Sequence, residues 1–100
     1  MKIANKGAAA FVRDKKVFEG SNIFSEKTGD EYLVYVVYAY GYHFPMYVFY
    51  RGVWYENSDR YSPTTSRYQS QCRPHRGTVK MDTAQLKKLI DDAVSAKRVG

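Results

Sequence analysis

Residues 31 to 40 read EYLVYVVYAY, and this stretch decides the fold. β-branched and aromatic side chains fill nearly every position, which is typical of a β-strand. Strand alternation places Val34 and Val36 on one face and Tyr35 and Val37 on the other, so neither face is polar. We therefore expect a central strand that is covered on both sides, by the core and by a helix, a loop or a second copy of the chain.

Turns surround this strand at short intervals. Gly41 and Pro45 predict a turn after it, and Arg51 with Gly52 predicts a second turn. Connections of hairpin length indicate an antiparallel sheet of about five strands, a meander within an α+β fold. The other strand candidates are AAFVR (9–13), KVFEG (16–20), NIFSEK (22–27), PMYVFYR (45–51) and VWYEN (53–57).

The C-terminal part of the chain predicts a helix. Asp82 precedes Gln85 by three residues, the spacing of a capping box, and Met81 with Leu86 fits the flanking hydrophobic staple. Apolar residues then recur at helical spacing and form one stripe, which we expect to pack on one face of the sheet. The stripe consists of Leu86, Leu89, Ile90, Ala93 and Val94.

Length and composition indicate one soluble domain over residues 1–100. Hydrophobic residues make up 44% and charged residues 26%, values that are usual for a globular chain. Cys72 is the only cysteine, which excludes an internal disulfide and a zinc site with several thiolates. Neither an apolar span of membrane length nor a signal-peptide core is visible. We expect a cytoplasmic protein without cofactor, metal or membrane partner.

Positive charge is concentrated in one segment. The net charge is +6, and residues 57–80 supply four of these charges, with five basic side chains against Asp59. Arginine forms two-pronged hydrogen bonds with phosphate and carboxylate, so a surface that faces an anion is one interpretation. A solvated loop is the other.

The same segment predicts a short helix near residues 66–72. Val79 is its only aliphatic residue, so it contributes little to a core. Ser66 precedes Gln69 by three residues, a capping pattern, and Pro74 would end the helix, while Pro63 is compatible with an edge strand. A helix start at residues 64–67 would offer N–H groups and hydroxyls to a phosphate or an acidic side chain. Alternatively, Thr65 or Ser66 merely caps the helix.

The run WYENSDRYSPTTSRYQSQ, residues 54–71, resembles a motif of small proteins encoded by bacteriophages and prophages. That motif reads W-x-x-N-x-D-basic-Y-S-x-T-T-S-basic-H-x-S-Q. Tyr68 departs from it where the family more often has histidine, and Pro63 replaces an aliphatic residue. The resemblance implies a phage accessory protein that acts in the bacterial host cytoplasm. Such proteins often block host defences, for example CRISPR systems, and fold alone does not fix this function.

Groups suited to catalysis are few. Cys72 and His75 could form a nucleophile–base pair or two metal ligands, but no second pair is present and an ordinary thiol and a loop histidine are favoured. Phosphate loops and hydrolase motifs are absent. We therefore expect a protein that is not an enzyme and has no catalytic residues.

Aromatic residues offer a second surface. Eight of the ten tyrosines lie between residues 32 and 55, and exposed rings could stack bases or join two copies of the chain as a homodimer. The favoured interpretation is that most of these rings form the core. We expect Tyr42, Tyr50 and Tyr55 to be the most exposed.

Three hypotheses for function follow. The favoured one is a non-catalytic counter-defence inhibitor that binds a bacterial defence or nucleic-acid-handling protein through a basic surface rich in Arg, Ser and Thr. The alternatives are direct binding of nucleic acid and capture of a small phosphorylated signal molecule. The candidate binding residues are Arg60, Thr64, Thr65, Ser66, Arg67, Tyr68, Gln71, Arg73 and Arg76.

Overall fold

A computed structural model of the chain describes residues 2–29, 34–59, 62–74 and 77–95. These residues form an α+β fold, in which a five-stranded sheet is combined with three α-helices and a short 3-10 helix at Asn5–Gly7. In chain order the elements are α1 (Ala8–Arg13), β1 (Ile23–Thr28), β2 (Val34–Ala39), β3 (Pro45–Tyr50), β4 (Val53–Asn57), α2 (Pro63–Cys72), β5 (Val79–Met81) and α3 (Thr83–Ser95).

The strands lie in the order in which they occur along the chain. β1 to β4 are antiparallel neighbours, whereas β5 runs parallel to β4. β3 is therefore the middle strand, and the predicted central strand β2 lies beside it. Arg51 and Gly52 both have positive φ, 52° and 78°, as the two-residue hairpin turn between β3 and β4 requires. The predicted turn at these residues is confirmed.

Two of the strand candidates near the N-terminus lie outside the sheet. AAFVR belongs to α1, because an alanine run has the highest helix propensity and the buried Ala8 and Val12 lie on one face of that helix. KVFEG only borders β1, where the Ser25 N–H donates to the Phe18 carbonyl and the Gly20 N–H to the Ile23 carbonyl. The third candidate, NIFSEK, forms most of β1, and β5 completes the sheet.

Helices cover both faces of the sheet. One cluster contains Tyr35, Val37 and Tyr47 on the face toward α1 and α2. The other contains Val34 and Val36 on the face toward α3, so every residue of β2 is buried. We call these two sides the α2 face and the α3 face. The expected cover on both sides is confirmed, but the chain's own helices provide it. The chain's own helices thus cover the tyrosines of β2 itself, and a homodimer through the tyrosine-rich sheet stays a prediction.

The start of α3 matches its sequence pattern. The Gln85 N–H donates to Asp82 Oδ1 at 2.8 Å, and the Asp82 N–H donates to Gln85 Oε1 at 2.9 Å, which is a reciprocal capping box. Leu86 and Ala93 are buried against the sheet, and Leu89 and Ile90 are half-buried beside them. The predicted helix and its packing are confirmed.

The other predicted helix begins earlier than expected. α2 starts at Pro63, and the Ser62 hydroxyl accepts the Thr65 N–H at 3.2 Å, so Ser62 rather than Ser66 is the cap. Proline fits the first helical position because its φ suits a helix and no N–H is required there. The edge strand expected at Pro63 is therefore wrong. The helix ends at Cys72, two residues before Pro74, as predicted.

Replacing Leu86 with alanine is expected to lower the free energy of unfolding by about 2–5 kcal/mol, because the side chain is completely buried. Leu89→Ala is the matched control and should cost less, since Leu89 is only half-buried. Urea denaturation followed by circular dichroism measures both values. Equal losses for the two variants would contradict the packing of α3 described above.

Candidate functional site

A buried polar residue at the end of β4 joins three parts of the chain. Asn57 is completely buried, and its Nδ2 donates to the Pro45 carbonyl at 2.8 Å and to Thr83 Oγ1 at 3.0 Å. Its Oδ1 accepts the Asp59 N–H at 2.8 Å. Because a buried amide is costly without partners, these bonds fix the starts of β3 and α3 against β4.

Asp59 and Gln69 extend this network. Asp59 Oδ2 accepts the N–H and the hydroxyl of Thr83 at 3.0 and 2.7 Å, and these bonds lower the pKa of the Asp59 carboxyl group. On the other side, Gln69 Nε2 donates to the Asn57 carbonyl at 2.6 Å. The Tyr47 hydroxyl donates to the Gln69 carbonyl at 2.7 Å, so α2 is tied to two strands.

Much of the phage-like motif therefore serves the fold. Trp54 is buried with its ring 5.0 Å from Phe49, Asn57 and Asp59 form the network above, and Thr65 is completely buried beneath the Ser62 cap. These side chains have structural partners, so their presence in the motif requires no ligand. The described motif positions that are exposed, Thr64, Arg67 and Ser70, lie on α2.

The start of α2, where the sequence predicts an anion site, uses part of its polar groups for the helix cap, and anion binding there stays a prediction. Four N–H groups are free at an ordinary helix start. In α2 these groups belong to residues 62–65, of which Pro63 has no N–H and the Thr65 N–H is taken by the Ser62 hydroxyl. Fewer N–H groups are therefore available to an anion than at an ordinary helix start. Among the hydroxyls, that of the buried Thr65 already contacts Ser62.

The remaining predicted site residues have different surroundings. Arg67 and Thr64 are exposed on α2, while Ser66 and Gln71 are partly buried there. The Tyr68 hydroxyl accepts a hydrogen bond from Asn22 Nδ2 at 3.2 Å, and its ring lies 5.5 Å from that of Tyr40. Arg60 and Arg76 lie outside the described residues.

Arg73 belongs to an ion cluster around a buried carboxylate. Its Nη2 donates to Glu56 Oε2 at 3.1 Å, while Lys80 Nζ and the Thr78 hydroxyl donate to Glu56 Oε1 at 2.7 and 2.6 Å. Lys80 also donates to Thr78 at 3.0 Å. Burial of Glu56 opposes its ionisation, but the bonds from Lys80, Thr78 and Arg73 outweigh this effect and lower the pKa of the carboxyl group.

Sequence reasoning named Arg73 but missed Glu56 and Lys80. Alternation places Glu56 on the same face as Trp54, toward the core, and a charged residue at such a position predicts a partner of opposite charge. That signal was available. The pairing with Lys80 was not, because it depends on the parallel register of β4 and β5.

The candidates for catalysis are inert or outside the described residues. Cys72 is completely buried, and burial raises the pKa of its thiol to about 12, so the thiolate nucleophile does not form near neutral pH. His75 is not among the described residues. Within the ranges given above, no three His, Cys, Asp or Glu side chains are grouped in a way that could hold a metal ion. The helices described there are also too short or too polar to cross a bilayer.

Charge is distributed unequally between the two sides of the sheet. Residues 5–13 and 62–73, which we call the basic helical layer, contain Lys6, Arg13, Arg67 and Arg73 and no acidic residue. The first three are exposed, and these segments pack against each other on the α2 face. α3 on the opposite face has two lysines and two aspartates, so its charges balance. Among the described residues, the helices of the α2 face are therefore more basic than α3.

The most exposed of the described tyrosines lies on the opposite face of the sheet. Tyr42 is 64% exposed, and its ring packs 5.0 Å from those of Phe24 and Tyr38 on the α3 face. The nearby carboxylate of Glu26 raises the pKa of the Tyr42 hydroxyl. Tyr50 and Tyr55, also expected at the surface, are half-buried, whereas Tyr35, Tyr38 and Tyr47 are buried.

No protein-family model matches this chain, and neither a curated protein nor a solved structure does.

The ion cluster predicts loss of stability in acid. A carboxyl group whose pKa is lower in the folded state stabilises the fold above its unfolded pKa, about 4.3 for Glu, and this contribution disappears as the pH falls through the folded value. We expect Glu56→Gln to cost about 1–3 kcal/mol at pH 7, since the charged hydrogen bonds are lost, and to flatten the decline below pH 4. Urea denaturation between pH 7 and pH 3 measures both effects.

Asp59→Asn provides the comparison variant, because Asp59 also has a lowered pKa and contributes to the same loss of stability in acid. The stability lost in Asp59→Asn should add to the stability lost in Glu56→Gln. If Glu56→Gln unfolded with the same pH dependence as the unchanged protein, the ion cluster would not be a source of acid sensitivity.

Proposed function

We propose that the chain is a non-catalytic binding protein that covers an acidic surface of another protein with its basic helical layer. By its resemblance to phage-encoded accessory proteins, the partner is a bacterial defence or nucleic-acid-handling protein in the host cytoplasm. The observation that carries the proposal is the uneven charge, with four basic and no acidic residues in the layer.

The placement of these charges supports recognition of an acidic surface. Lys6, Arg13 and Arg67 come from three separate short elements that pack against one another, and all three residues are exposed. The acidic Asp14 follows the layer directly, but Lys15 and Lys16 come next, so the net charge of the adjoining segment is also positive. Complementary charge of this kind accelerates association and excludes partners of like charge.

The positions of the aromatic residues favour a protein partner over a nucleic acid. Proteins that bind single strands combine a basic groove with rings on which the bases stack. Among the described residues the most exposed ring, Tyr42, lies on the α3 face beside Glu26, and beside the basic helical layer only the less exposed Tyr40, packed against Tyr68, could stack a base. A mainly electrostatic contact with carboxylates needs no such rings.

The test compares two variants with the same change in net charge. Arg13→Glu with Arg67→Glu reverses charge in the basic helical layer, and Lys87→Glu with Lys88→Glu does so on α3, where both lysines are exposed. Affinity capture from bacterial lysate should yield a partner that the first variant loses at least tenfold and the second retains. Both variants should melt within a few degrees of the unchanged protein, because these side chains are on the surface.

Two outcomes would overturn the proposal. Equal loss in both variants would mean that overall charge, and not the basic helical layer, attracts the partner. A partner that disappears after nuclease treatment of the lysate would replace the proposal with direct nucleic-acid binding, whose affinity should then decline steeply with added salt.

A further inference from the structure

We infer that Arg73 and Lys80 form a subsite for a single oxyanion group, at the edge of the basic helical layer. The inference extends the proposed function, because an acidic partner would supply this group. Both cations already contact one carboxylate, Arg73 at Glu56 Oε2 and Lys80 at Glu56 Oε1. Both cations therefore lie beside the same carboxylate group, and we expect a second oxyanion to contact both of them from the solvent side.

Exposure in the cluster favours binding of an anion. The Glu56 side chain is completely buried, whereas those of Arg73 and Lys80 are 37% and 54% exposed. Solvent therefore meets the two cations and not the carboxylate that neutralises one of them. Counting the described residues, two positive charges and one negative charge give the cluster a net charge of +1, which an incoming oxyanion would balance.

Hydrogen-bond donors remain at both cations. An ammonium group has three N–H donors, and among the described residues Lys80 uses two of them, on Glu56 and Thr78. A guanidinium has five N–H donors, and within the described part of the chain Arg73 directs them at Glu56 and Tyr47 without exhausting them. Charge-assisted hydrogen bonds from two different cations are typical of carboxylate and phosphate recognition.

The two cations are also held in place before any ligand arrives. Arg73 follows the last residue of α2, and Lys80 is the middle residue of β5, directly opposite Glu56 in the parallel register. The bonds to Glu56 and Thr78 restrict side chains that would otherwise lose rotamer freedom on binding. Such preorganisation lowers the entropic cost of binding an oxyanion.

Nuclear magnetic resonance titration of the ¹⁵N-labelled chain tests the subsite without the partner. The probes are sodium acetate, which represents an acidic side chain, and sodium phosphate, each compared with sodium chloride at equal ionic strength. We expect saturable shifts of the Thr78, Val79 and Lys80 amide signals with at least one oxyanion and none with chloride. Saturation with acetate would identify a carboxylate as the natural group, and saturation with phosphate alone would identify a phosphate.

Three variants locate the binding. Lys80→Gln should lower the affinity for the oxyanion at least tenfold, and Lys80→Arg should keep most of it. Lys88→Gln, which changes a lysine on α3, should leave the affinity unchanged. The spectrum of each variant reports whether it is folded. Shifts that do not saturate with either oxyanion, or that persist in a folded Lys80→Gln variant, would overturn the inference. The proposed function would survive that result, because its own test changes Arg13 and Arg67.

Discussion

The hydrogen bonds of one buried amide hold together segments that are distant in sequence. Asn57 is the last residue of β4, and its side chain donates hydrogen bonds to the first residue of β3 and the first residue of α3. Its carbonyl accepts a hydrogen bond from the Gln69 side chain of α2. Strands and helices could pack in several ways through apolar contacts alone, because those contacts have little direction. A completely buried amide with several partners admits few of these arrangements, so it selects the positions of α2 and α3.

Local patterns predicted the elements whose signals are complete within a few residues. The hairpins from β2 to β4 follow from alternation and two short turns, and α3 follows from its capping box and apolar stripe. The pattern was ambiguous at AAFVR, because a short apolar run fits a strand or a buried helix and alanine propensity decides between them. β5 has only three residues and pairs in parallel with β4, so its signal lies in tertiary contacts.

The charged segment was identified from sequence, but the roles of its arginines were not separated. Arg67 and Arg73 look alike in the sequence, yet Arg67 is exposed and Arg73 contacts a carboxylate 17 positions earlier on β4. The resemblance to phage proteins had a similar limit. The polar residues of the motif suggested a ligand, whereas Asn57, Asp59 and Ser62 form hydrogen bonds within the molecule. Composition shows that charge is abundant, and only geometry shows which charges face outward.

Both borders of the sheet are shielded, which limits self-association. Residues 17–20 lie along β1 and occupy two of its outward hydrogen-bonding groups, and β5 at the opposite border is short and has a lysine at its middle position. Unpaired strand edges are where sheets from separate molecules join into aggregates. A small protein with so many β-branched and aromatic residues would be prone to such aggregation, and the two shielded edges reduce this tendency.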